Sequence, residues 1–145
     1  MKHRATLRAT FFRDFKDWME ANWLIEHDAR QLITGDNDAG AAMGVGSVCR
    51  ADRKHYAVVG DGYTAQPEDM LYGVAHETAH LIGAWDLYEP VWSLYHPGQP
   101  LPCDAYGDPE SFDLMGNYGS LNFCQYSKDE IRAWINANGH CMGYC

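Results

Sequence analysis

The feature that most limits what this chain can become is residues 76–86, His-Glu-Thr-Ala-His-Leu-Ile-Gly-Ala-Trp-Asp. His76 and His80 are four residues apart, so on a helix both imidazoles leave one face a turn apart and can close on a single ion. Glu77 is rotated about a quarter turn from them. There it can hold a water instead of ligating the metal, which is where a general base belongs. Gly83 accepts the left-handed conformation that ends a helix, and the turn it permits brings Asp86 back as a third ligand. Two His, one carboxylate and an open fourth position are the donor set of a catalytic zinc site. An ordinary helix with two surface histidines would explain the His spacing but not Gly83 and Asp86 at their offsets. The apolar register predicts a packed stripe of Leu71, Val74, Thr78, Leu81 and Ile82. Gly73, His76, His80 and Gly83 fall on the opposite, working face.

The chain has 145 residues, the usual size of one domain with one core. Its hydrophobic content of 46% excludes a disordered chain, and no apolar run reaches the roughly 20 residues of a membrane span. With 20 acidic against 11 basic residues the formal net charge is -9, which argues against nucleic acid or an anionic membrane as partner. The five cysteines, at 49, 103, 124, 141 and 145, contain no CxxC pair. Disulfides in an oxidising compartment are therefore expected, with one cysteine left over. Residues 1–6 carry basic side chains with no signal-like apolar segment after them, so the chain is expected to be a mature or truncated piece of a longer precursor.

In chain order, Leu7, Phe11, Phe15, Trp18 and Asn22 recur at helical intervals, predicting an amphipathic helix over 6–22 with an aromatic core stripe. A strand is expected at 27–34, followed by a turn cluster at 35–40. Asp36, Asp38 and Gly40 begin like a calcium loop, but the closing acid is absent and no calcium site is expected. Residues 41–49 suit an extended edge segment, and 56–59 a firmer strand. Pro67, Glu68 and Asp69 are helix-start signals. Prolines at 90, 97, 100, 102 and 109 predict an irregular loop after Asp86, in which His96 is a rival third ligand. Residues 112–119 read as a tight turn, and Ser127 with Glu130 as the capping box of a last helix ended by Gly139.

A histidine pair of this spacing, followed about thirty residues later by Met115 in a tight turn, resembles the metzincin zinc endopeptidases. Within them the chain looks like the reprolysin (adamalysin) family, which includes the ADAM, snake-venom and tick salivary metalloproteases. Nearly the whole chain follows that order of segments: a helix with an aromatic pair, 28–35, 43–49, 57–61, the zinc helix and a Cys-containing C-terminal helix. The resemblance implies an α+β, metzincin-like fold: a small mixed sheet with an active-site helix, a Met-turn at Met115 and a C-terminal helix. It implies Zn²⁺ on His76, His80 and a third ligand, with Glu77 as base. Met43, Gly44 and Val45 would lie in an edge strand, 43–48, that pairs with substrate. Asn117, Tyr118 and Gly119 would wall the primed-side pocket. It further implies disulfides of Cys103 with Cys124, and of Cys49 with Cys141 or Cys145.

The sequence departs from reprolysins in two ways. They place His and then Asp where this chain has Asp86 and Leu87, so the third ligand here is a carboxylate, as in snapalysin-type and immune-inhibitor-A-type peptidases. A more electron-rich ligand set makes a weaker Lewis acid, and slower turnover than a three-His site is expected. The N-terminal strands and long helix of a reprolysin domain have no counterpart, so on that reading residues 1–145 are the C-terminal part of a single catalytic domain, whereas snapalysin-type peptidases are small enough for 1–145 to be the whole of one. The expected protein is a secreted, monomeric zinc endopeptidase acting on protein or peptide substrates. Its rival is a secreted binding protein that keeps the fold without the protease, and Glu77 weighs against that, because a structural site has no use for a carboxylate beside its ligands. A zinc amidase acting on small molecules would want a closed pocket, which the glycine-rich 40–48 segment does not suit.

Overall fold

The computed structural model describes residues 13–15, 17–19, 21–22, 29–34, 40–42, 44–49, 55–60, 67–103, 113–116 and 122–141. Tyr56–Gly60 (β3) is the central strand of a three-stranded sheet, flanked by Arg30–Thr34 (β1) and Ala41–Ala42 (β2). The β1 pairing is parallel and sets Arg30 opposite Tyr56, while β2 runs antiparallel with Ala41 opposite Val58. Tyr56, Ala57 and Val59 are buried, as a centre strand covered on both faces requires. With its helices, the sheet makes a mixed α+β fold.

Helix α2, Pro67–Leu81, crosses the sheet and starts at the proline that signalled it. Gly73 lets it approach β3: a Cβ there would sit 3.0 Å from Val59 Cγ1. Gly73 therefore belongs to the packing side, not the working side, and Leu71, expected in the packed stripe, is 60% exposed. The sheet covers only part of the helix, so the division into one packed and one working face does not hold.

The end of α2 is a Schellman motif. Ala84 N–H donates to the Ala79 carbonyl (3.0 Å) and Gly83 N–H to that of His80 (3.1 Å), with Gly83 at φ 106°. Residues 46–48 cap the same helix end, Gly46 N–H also reaching the His80 carbonyl (2.8 Å) and Val48 N–H that of Leu81 (3.1 Å). This corrects the edge strand expected over Met43–Val48. The ladder stops at Ala42, and 45–46 and 48–49 are turns, because Gly44, Gly46 and Cys49 have positive φ. Ser47 and Val48 are buried against the helix end instead of lining an open edge.

Helical positions between 13 and 22 form α1. Its packed pair is half-buried Phe15, edge-on to Tyr56 at 5.8 Å, and buried Met19; Trp18, expected in the core, is 54% exposed. Leu7 and Phe11 lie outside the described residues. A short helix, Val91–Tyr95 (α3), interrupts what the prolines had suggested was irregular, and its Trp92 anchors it in the core. Helix α4, Gln125–Asn138, begins two residues before Ser127, with Cys124 as N-cap and no side-chain cap. The capping box is therefore absent: Ser127 is buried inside the first turn.

The core has two parts. Ala79, Ala84, Leu87, Trp92, Cys103 and Met115 form one, with Ile131 of α4 packed on it. Val48, Ala57 and Leu81 form the other, against Trp134, while Ile135 is partly exposed. The disulfide Cys103–Cys124 staples the first core to the N-cap of α4. Cys49 is also disulfide-bonded, and its sulfur lies 3.6 Å from the carbonyl of Asn138, near the end of α4. Among the described residues no helix is long and apolar enough to cross a membrane.

Trp134 packs on two glycines, and a Cβ at Gly83 would come within 2.8 Å of its own Cβ. Gly83→Ala must also hold a backbone that L side chains avoid, at a cost of about 1–3 kcal/mol. The urea midpoint of the metal-free protein should fall accordingly at unchanged slope, and an unshifted midpoint would contradict this packing.

Candidate metal centre

The C-terminal turns of α2 bring His76 and His80 to one side, and the Gly83 turn returns Asp86 to them. The three are at most lightly exposed and are grouped within metal-ligating range. His76 Nδ1 lies 3.0 Å from the Leu114 carbonyl and His80 Nδ1 lies 2.8 Å from the Ala84 carbonyl. A carbonyl only accepts, so each Nδ1 carries the proton and donates it, and each neutral ring turns its Nε2 lone pair inward. The two Nε2 atoms are 3.1 Å apart, and Asp86 Oδ1 lies 3.1 Å from one and 3.3 Å from the other.

Three electron-rich atoms thus meet in a nearly equilateral triangle. With both Nε2 atoms unprotonated, the buried Asp86 Oδ1 has no hydrogen-bond donor, a cost relieved only when a cation, metal ion or proton, joins the group. A tetrahedral ion with bonds of ~2.0–2.1 Å places its ligand atoms about 3.3 Å apart, so the triangle fits. The carbonyls of Leu114 and Ala84 are the outer partners that such imidazoles need to keep tautomer and orientation.

The turn 113–116 is the second support. Asp113, fully buried, accepts hydrogen bonds from Met115 N–H (2.6 Å) and Cys124 N–H (2.7 Å). Met115 is buried beneath the helix end, and its carbonyl accepts from Leu87 N–H (3.0 Å), the residue after Asp86. Glu77 is 5% exposed, and Gly40, just before β2, lies against its carboxylate: a Cβ at 40 would collide with Oε1.

Burial raises the Glu77 pKa, with Asp86 adding to it and the two histidines opposing. Burial alone would lower His80, but the Asp86 carboxylate, Glu77 and the Ala84 carbonyl outweigh it and leave the pKa raised. Asp86 goes the other way: burial would raise it, yet the two imidazoles hold it well below the usual carboxylate range.

His76, Glu77, His80 and Asp86 are thus brought together, and Met115 is buried in the turn whose Leu114 carbonyl orients His76. Gly44 and Val45 are half-buried in the 44–46 bend, while Met43, Asn117, Tyr118 and Gly119 lie outside the described residues. His96 is stacked on Trp92 at 3.8 Å and does not join the ligand group. The cluster of Cys103, Asp113 and Cys124 also has ligand-like spacing, but its sulfurs are joined in the disulfide. Sequence reasoning missed Gly40 and Asp113. The available signal for Asp113 was its position two residues before a backbone N–H it caps, the Asx-turn pattern. Gly40 carried no signal beyond its turn-rich surroundings. No protein-family model matches the chain, and no curated protein matches it.

A proton competes with a metal at His80 from above the ordinary histidine range, because that pKa is raised, whereas Asp86 keeps its charge. Affinity for a divalent metal ion should therefore fall as pH drops through and just above the histidine range. Competition with a chromophoric chelator across pH checks this; a transition centred in the carboxylate range would contradict it.

Proposed function

We propose that the chain is a zinc-dependent endopeptidase of metzincin-like, reprolysin-related architecture, with the carboxylate third ligand of snapalysin-type enzymes. The observation that carries this reading is the convergence of His76 Nε2, His80 Nε2 and Asp86 Oδ1 beside a buried Glu77. When bound, zinc polarises the scissile carbonyl and makes water acidic enough to ionise near neutral pH. Glu77 accepts the water's proton and delivers it to the departing amine nitrogen. Its raised pKa suits both halves of that task, since a shuttle works best near the operating pH. Asp86 holds a full negative charge among the ligands.

The peptide cleft follows from Gly40. That residue leads directly into β2, which pairs only with β3 among the described residues, so its other edge can take an extended peptide beside Glu77. The disulfides favour a secreted enzyme.

Two variants test the roles. Glu77→Gln should keep one zinc per chain and lose cleavage of a quenched peptide library by roughly 10²–10⁴-fold. Undiminished cleavage would reject Glu77 as the base, and zinc binding without cleavage by the natural chain would favour the binding-protein reading. Gly40→Ala should push the carboxylate aside and slow cleavage by roughly 10²-fold or somewhat less, with zinc content and unfolding midpoint nearly unchanged. Full activity in Gly40→Ala would place the peptide elsewhere.

A further inference from the structure

We propose that Asp113 is a positioning residue for the metal centre, acting through the turn that holds two of the three ligands. The inference rests on the metal-site reading above. Asp113 has no exposed surface, and its two oxygens are each spent on a backbone N–H, of Met115 at 2.6 Å and of Cys124 at 2.7 Å. A carboxylate is an expensive group to bury for a turn that a neutral side chain could also cap. What sets this turn apart is where its next two carbonyls go.

The Leu114 carbonyl accepts from His76 Nδ1 at 3.0 Å, and the Met115 carbonyl accepts from Leu87 N–H at 3.0 Å, directly after Asp86. Asp113 therefore fixes both peptide units: its carboxylate holds the one whose Leu114 carbonyl orients a ligand ring, and its own carbonyl, accepting from Gly116 N–H, holds the one whose Met115 carbonyl tethers the backbone after another ligand. It is tied in turn to the N-cap of α4 through Cys124, which the disulfide to Cys103 anchors. The negative charge has a direct consequence as well. Through the Met115 N–H it polarises the 114–115 peptide unit, whose Leu114 carbonyl accepts from His76, and a hydrogen-bond chain of this kind makes His76 a stronger donor to the metal.

Asp113→Asn keeps the shape but turns an amide NH₂ toward one of the two N–H donors, so one hydrogen bond and the charge are lost together. Zinc affinity, measured by chelator competition on folded protein, is expected to fall by roughly tenfold or more, the usual effect of removing an outer-shell partner. The visible spectrum of the cobalt-substituted variant should shift, since the ligands relax. A merely structural role would lower the unfolding midpoint of the metal-free protein while leaving affinity and spectrum as in the natural chain, and that result overturns the proposal.

Should Asp113→Asn fail to fold, hydrogen exchange on the natural chain decides the same question. Coupling is reciprocal, so zinc loading must slow exchange at the Met115 and Cys124 amides if their clamp positions the ligands. Exchange unchanged by zinc overturns the proposal. If the natural chain binds no zinc, it is the metal-site reading that fails; if it binds zinc and Asp113→Asn binds equally well, only the role of Asp113 fails.

Discussion

Two backbone carbonyls decide what this protein can hold. By accepting the Nδ1 protons of His76 and His80, Leu114 and Ala84 turn both Nε2 lone pairs to one point, where Asp86 Oδ1 already lies. Lone pairs crowded at about 3 Å repel one another unless a cation sits among them. The arrangement is stable only because the rest of the fold holds it: the Schellman turn at Gly83 supplies one carbonyl, the 113–116 turn the other, and the core of Ala79, Leu87 and Met115 locks the two turns together.

Those turns depend in their turn on close approaches that few residues permit. Gly83 and Gly46 both pack on Trp134, and Gly73 on Val59, so α4 and β3 press against opposite parts of the α2 assembly. The sheet contributes β2, whose neighbour Gly40 abuts the Glu77 carboxylate. The candidate ligands and Glu77 are thereby set by different elements: turns and α4 for the former, the sheet edge for Glu77. On the proposed reading, metal affinity and proton transfer are therefore separable by mutation.

Much of the centre was legible because helical spacing is local. His76, His80 and the glycine that ends α2 are related by the geometry of one helix and its cap, and Pro67 marked the start of that helix. The strands 30–34 and 56–60 also followed from local composition. What failed depended on tertiary partners. Leu71 and Trp18 sit at helical spacing for a core but face solvent, since the sheet and α1's contacts cover less of each helix than the pattern suggested. Helix α3 forms among prolines because Trp92 has a core to enter. The capping box at Ser127 lost to a start at Gln125, where the disulfide places Cys124. Gly40 meets Glu77 across a long stretch of sequence, which no local pattern encodes, and the Asx-turn signal at Asp113 says nothing of the distant His76 that accepts its orientation from Leu114.

The most direct test of the central claim is X-ray absorption at the zinc edge of the purified, zinc-loaded protein. Two imidazoles and a carboxylate predict a first shell of nitrogen and oxygen only, at ~2.0–2.1 Å, with outer-shell scattering from two imidazole rings. Sulfur at ~2.3 Å would place the metal on cysteines instead. Scattering from three imidazole rings would remove Asp86 from the ligand set. Failure of the protein to retain zinc through purification would contradict the account outright.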